Sequence, residues 1–196
     1  MMTYEITAQP TAEPLTVQEV KTFLNLTAND HDALIEMLIK AAREWSEKTT
    51  GRAMLSQTVK QYWDEWPTGT WGTSWELGVN PVSSVTSIQY LDTNGATQTW
   101  AASNYTADTK SRIARIVPTD TAEYPDLDDA PNAVIVTYVA GVSTVANVPA
   151  TVKAAMLQKI AFMYENREDI KINGVGSAYM VRSADALLFN ERRFLI

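Results

Sequence analysis

The sequence has no cysteine and a single histidine, His31. The first absence excludes a disulfide, a thiolate zinc site and a cysteine nucleophile, and it fits an intracellular origin. One imidazole without any thiolate makes a poor transition-metal site. Long apolar runs are also missing. None approaches the roughly 20 residues needed to cross a bilayer, and the opening Met1-Met2-Thr3-Tyr4-Glu5-Ile6-Thr7 lacks the basic stretch and apolar run of a secretory signal. The expectation is therefore a protein made and assembled in the cytoplasm, with no membrane partner. Positive charge is scarce as well: 16 Lys and Arg stand against 23 Asp and Glu, a net charge of −7. Tight binding to nucleic acid needs clustered cations that displace counterions from phosphates, and this balance argues against it.

What remains is an ordinary globular composition, 45% hydrophobic and 20% charged over 196 residues. That length supports one sizeable core or a core with a small inserted module. Residues 1–14 carry Pro10 and Pro14 among small polar residues and read as an extended N-terminal arm. Thr16 with Glu19 three positions on forms a capping-box pattern, flanked by Leu15 and Val20 at staple positions, so a short helix is predicted to about Leu24. A second helix is predicted from Asn29 or Asp30, with Leu34, Ile35, Leu38, Ala41, Ala42 and Trp45 on one face and Gly51 as its C-terminal cap.

From about Met54 to Ala140 the residues turn to Thr, Val, Ile, Tyr and Trp between turn formers, which predicts strands near 54–64, 75–78, 84–91, 97–100, 104–107, 111–117 and 132–139. Asp92-Thr93-Asn94-Gly95 predicts a tight hairpin, because Asn-Gly readily takes positive φ angles. Pro149 suits the first turn of a third long helix bearing Val152, Met156, Ile160, Met163 and Tyr164. Beyond Arg167 two glycines, Gly174 and Gly176, interrupt any period, and a last short helix is expected from Ser183 through Leu187 and Leu188. The resulting organisation is α+β: a small helical bundle (15–52 and 148–168), an inserted antiparallel β module (53–147), an arm (1–14) and an extended C-terminal segment (169–196).

No catalytic, cofactor-binding or metal-binding set emerges. His31 sits at a helix start between Asp30 and Asp32, without a nucleophile elbow such as G-x-S-x-G, and reads as a capping or solvated residue. The acidic run Asp120, Glu123, Asp126, Asp128 and Asp129 lacks the spacing and glycine of an EF-hand loop and reads as a solvated connection. Gly174-Val175-Gly176 lacks the rest of any phosphate-binding pattern. The aromatic stretch Trp63, Trp66, Trp71 and Trp75 has two readings: rings that fill the β module or cover a contact between subunits, with Trp66, Trp71 and Trp75 as the candidates, or a platform for sugars or bases.

The order of segments carries more than any one residue. Leu15-Thr16-Val17-Gln18-Glu19-Val20-Lys21-Thr22-Phe23-Leu24, then Asp32-Ala33-Leu34-Ile35 running into Ala41-Ala42-Arg43-Glu44, resembles the start of phage head–tail connector (adaptor) proteins of the gp6-like family, which also occur in gene transfer agents. Pro81 to Tyr90, Val136 to Gly141, Pro149 with Lys153-Ala154-Ala155, and Tyr164-Glu165-Asn166-Arg167-Glu168 are similar to that family's later blocks, in the same order. The resemblance implies a structural virion protein rather than an enzyme. It implies a homo-oligomeric ring, usually of twelve subunits, beneath the portal, with a stopper or tail-completion protein on its other side and DNA passing without sequence-specific binding. Family members dock their C-terminal segment on the portal protein, which here assigns Leu187, Leu188, Arg192, Arg193, Phe194, Leu195 and Ile196 to that contact. The alternatives are another virion protein, such as a stopper or tail terminator, and a carbohydrate-binding accessory module; a hydrolase ranks below them.

Overall fold

The structure is a computed structural model and describes residues 2–67, 75–166 and 183–192. The fold is α+β, and the chain divides into two compact units, Met1–Pro10 with Ser56–Gly141 and Thr11–Leu55 with Val142–Ile196.

The first unit is built of antiparallel strands. A five-stranded sheet runs in the order β1-β2-β8-β4-β5, and a three-stranded sheet in the order β3-β7-β6. The strands are β1 (Met2–Ala8), β2 (Gln57–Trp63), β3 (Trp75–Glu76), β4 (Val82–Leu91), β5 (Thr97–Trp100), β6 (Tyr105–Asp108), β7 (Arg115–Pro118) and β8 (Val134–Ala140). Central β8 explains the arrangement. Its Val134, Val136, Tyr138 and Ala140 are fully buried, while Ile135, Thr137 and Val139 are half-buried on the opposite face, as expected of a strand flanked on both sides. Opposite it, Val59 and Gln61 of β2 and Ile88 of β4 are equally buried.

Residues 1–14, read from the sequence as an arm, contain a strand instead. Met2–Ala8 pairs antiparallel with β2, from Met2 opposite Trp63 to Ala8 opposite Thr58. The signal was the alternation of Tyr4 and Ile6 with Thr3 and Glu5, which places Tyr4 and Ile6 on the face of Val59 and Gln61. Tyr62 donates a hydrogen bond to Glu5 across the pair at 2.6 Å. Partial burial, with that bond and the charge behind it, pushes the Tyr62 phenol up to about 12. The β unit thus draws on two separate stretches of chain and is not a single insertion.

The β4–β5 hairpin forms over 92–96, where sequence expected it, though by another device. Only Gly95 has positive φ, +75°. Asp92 makes this possible by accepting from the backbone of Asn94 at 2.9 Å and Ala96 at 3.1 Å, and from Gln98 at 2.9 Å.

The second unit holds α1 (Val17–Leu24), α2 (Asp32–Thr50), α3 (Ala150–Glu165) and a short helix over 183–188. Its core joins Leu15, Val20, Ile35, Leu38, Ile39 and Ala42 to Met54, Leu55, Val148, Val152, Ala155, Met156, Ile160 and Leu188. The packing face of α2 lies one position round from the predicted one: Ala41 is exposed and Leu34 and Trp45 half-buried, while Ile39, Ser46 and Thr50 are buried. Gly51 takes φ +67° and donates to Glu47 O at 2.8 Å, ending α2 as expected.

Among the buried positions of α2 is a charged one, Arg43. It is 4% exposed, with Nε 2.9 Å from Glu13 and Nη1 2.9 Å from Glu47. Glu47 also accepts from Met54 N–H at 2.9 Å. Burial raises the Glu47 pKa above the ordinary glutamate range, and that hydrogen bond and Arg43 only partly counter it. Such a triad is costly to break from one side, because removing Arg43 strands two desolvated carboxylates. Lys21, 5% exposed, ties α1 to the start of α2 through Asn29 at 2.5 Å and Asp32 at 2.9 Å.

The predicted capping box is present: Glu19 N–H donates to Thr16 Oγ1 at 3.2 Å and Thr16 N–H to Glu19 Oε2 at 2.7 Å. The bonds from the Thr16 backbone and hydroxyl hold the Glu19 carboxyl below its ordinary value. A depressed carboxylate pKa contributes stability above the unfolded value, near pH 4.3, and loses it as pH falls through the folded one. Thr16→Ala is expected to cost about 1 kcal/mol at neutral pH. The deficit against the parent chain should shrink on acidification, read from denaturant midpoints at a series of pH values.

Candidate functional site

Within the β unit, the positioning of Trp75 begins with a buried polar network. Gln61 of β2, with no exposed surface, accepts from Gly78 N–H at 2.7 Å and from the Tyr138 hydroxyl at 3.1 Å, and donates to Glu76 O at 3.2 Å. The Tyr138 oxygen in turn accepts from Val79 N–H at 3.1 Å. Asn80, 2% exposed, donates to Leu77 O and accepts from Ala114 N–H, both at 2.7 Å. Side chains of β2, β8 and the 77–80 turn thus satisfy backbone groups that no ladder reaches. A Cβ at Gly78 would lie 3.3 Å from Gln61 Oε1, so a larger residue there must push that buried amide aside by a few tenths of an ångström.

So held, Trp75 stacks on Trp100 at 5.3 Å between ring centroids and 18° between planes. Trp100 also stacks on Tyr105 at 5.7 Å and Tyr124 at 5.6 Å. Trp66 lies among Trp75, Tyr90, Trp100 and Tyr124, with centroids 5.2–5.7 Å away. The indoles of Trp66 and Trp100 donate to the carbonyls of Pro125 at 2.9 Å and Glu123 at 3.0 Å. The rings therefore pin the acidic 120–131 connection to the unit's interior.

This corrects part of the assignment from sequence. Trp75 is 1% exposed and belongs to the module's own core, which leaves it no surface for a subunit contact. Trp66 is half-buried by its aromatic neighbours, and Trp71 lies outside the described residues. A stacking platform needs open ring faces, whereas Trp75 and Trp100, 1% and 2% exposed, have almost none. Tyr124 keeps 40% of its surface.

The carboxylates beside this cluster line a shallow groove of 440 Å³ with Asp64, Glu65, Asp128 and Asp129. The backbone N–H of Asn132 donates to Asp64 at 2.9 Å and holds its carboxyl below the usual range, the reverse of what a general acid requires. Among the described residues no three potential ligands converge for a metal ion. His31, at the start of α2, packs edge-on against Tyr164 with centroids 5.7 Å apart.

In the helical unit the C-terminal residues divide into two groups. Leu188 is fully buried in the bundle core, Ala184 is 2% exposed and Leu187 packs half-buried beside them. The assignment of Leu188 to the portal contact is therefore corrected: its side chain is consumed by its own bundle. Glu191 pairs with Arg52 at 3.0 Å and accepts from Thr151 at 3.5 Å. Phe189, by contrast, is 53% exposed, with the Arg192 guanidinium over its ring at 5.9 Å. Arg193, Phe194, Leu195 and Ile196, with the glycine-bearing stretch before 183, lie outside the described residues.

The family model of head completion proteins matches residues 13–184. The chain belongs to the head completion protein family. No curated protein sequence matches it. Among solved structures, this head completion protein shares its fold with a chain from the neck of an empty gene transfer agent particle computed with C6 symmetry, at a TM-score of 0.79 and 20% identity over 99% of this chain and 97% of that one. A chain from the neck of a native particle computed with C12 symmetry gives 0.71 and 22%, over 100% and 97%. One from the virion of the native particle gives 0.75 and 20%, over 98% and 96%.

Sequence reasoning singled out the tryptophans but missed Gln61, Asn80 and Tyr138, which position Trp75. The available signal was polar residues at inward positions of strongly β-forming segments. Gln61→Leu removes the acceptor that Gln61 offers the Gly78 N–H, and Tyr138→Phe the acceptor that Tyr138 offers the Val79 N–H. Each is expected to cost about 1–3 kcal/mol and to change the near-ultraviolet signal of the tryptophans, measured by denaturant titration with circular dichroism.

Proposed function

We propose that this head completion protein is a structural subunit of the neck of a tailed-phage-like particle, forming a ring beneath the portal that joins capsid to tail and lets DNA pass. The observation that carries this reading is the family match across residues 13–184. The shared fold over nearly the whole chain with neck proteins of gene transfer agent particles supports it. The net charge of −7 suits a conduit that must not grip its cargo.

The portal contact is assigned to the end of the chain. Phe189 and Arg192 begin it, and the sequence Arg193-Phe194-Leu195-Ile196 supplies further apolar and cationic groups of the kind that anchor a docked peptide. Ser183 to Leu188 and Glu191 are left out of it, because they close the bundle. Deleting residues 193–196 is expected to leave melting behaviour unchanged and to yield filled heads without tails, scored by electron microscopy of particles made with the truncated chain alone. Tailed particles at the parental level would overturn the docking assignment.

A further inference from the structure

The five-stranded sheet has two open edges. β1 pairs only with β2 and β5 only with β4, and among the described residues no backbone hydrogen bond reaches the far side of either strand. Residues 3–9 are exposed throughout, with Tyr4 at 52% and Ile6 at 39%, and Thr97, Gln98 and Thr99 of β5 are exposed too. Soluble proteins usually defend such edges with Pro, Lys or cover. Neither strand contains Pro or Lys, and β1 has a single irregularity, between Ile6 and Ala8.

The register makes the two edges complementary. One ladder row runs Tyr4, Gln61, Val136, Ile88, Trp100, and the opposite face carries Thr3, Tyr62, Ile135, Gln89, Thr99. All four pairings are antiparallel, so β1 and β5 point the same way. A second copy that continues the sheet must therefore lay its β5 parallel to β1 of the first. Tyr4 and Ile6 fall on the same face as Trp100, so the register can shift only in steps of two.

We propose that copies of this chain join edge to edge, with β1 of one copy pairing in parallel with β5 of the next. This rests on the ring reading above and names the surface that forms it. The contact is heterologous: each copy offers a different strand to each neighbour, which generates a closed ring when the rotation closes. Pairing β1 with β1 would instead be two-fold and stop at a dimer. Four residues of parallel ladder hold two copies weakly, so the contact gains its strength from closure and from a template rather than from any pair alone.

The absence of cysteine makes the test clean. Particles are made with full-length chain carrying Thr99→Cys together with Thr3→Cys or Thr7→Cys, then oxidised and run on non-reducing gels. At least one double variant should give multimers larger than dimers that collapse on reduction, and each single variant should stay monomeric. Incorporation of both double variants without multimers overturns the proposal, as do dimers from Thr3→Cys or Thr7→Cys alone. Ile6→Lys, which charges the open edge, should fold as the parent by circular dichroism yet be lost from particles at least tenfold; retention at the parental level overturns the proposal. If the unsubstituted chain itself is absent from particles, the neck reading fails. The same oxidation on the concentrated purified chain then decides the edge pairing, a ladder supporting it and monomers overturning it.

Discussion

The β unit depends on the burial of one amide, that of Gln61. Its oxygen and nitrogen, with the hydroxyl of Tyr138 and the side-chain amide of Asn80, replace water for backbone groups of residues 76–79 and 114. Without them the turn before β4 would hold desolvated donors and acceptors and could not lie against the sheet. With them, β3 is fixed, Trp75 is aimed at Trp100, and the stacked rings in turn hold the connection that carries Glu123 and Pro125. A polar residue at an inward strand position thus organises an aromatic core several residues away.

The helical unit uses charge for the same purpose. Arg43 between Glu13 and Glu47 joins the chain ahead of α1 to the middle and end of α2, and the second oxygen of Glu47 fixes the start of the segment leaving that helix. Hydrophobic packing of Ile35, Leu38 and Ala42 against Val152, Met156 and Ile160 supplies the bulk of the stabilisation. The ion triad dictates which way the chain comes and goes.

Much of this was legible in sequence. Thr16 and Glu19 act through neighbours three residues apart, Gly51 through its own φ, and the strands through runs of β-branched residues, so local chemistry suffices to place them. The α+β class and the kinship with phage neck proteins followed from the order of such segments. What escaped was non-local. β1 looks like an arm because its partner β2 lies some fifty residues on. Arg43 looks solvated because the carboxylates that make burial tolerable sit 30 and 4 positions away. Leu188, near the chain end, looks like an anchor for a partner because nothing nearby shows that the bundle core has room for it.

The chain passes between its two units three times, after residues 10, 55 and 141. During synthesis, therefore, neither half can be finished early. β1 is made first but waits for β2, and the sheet lacks its central strand until β8 emerges; the bundle then lacks α3 until residue 165. Such long-range closure is slow compared with helix hairpins. It also means that a polypeptide released before about residue 134 completes neither unit and presents no competent surface. Completion of the two units thus acts as a quality check written into the threading of the chain.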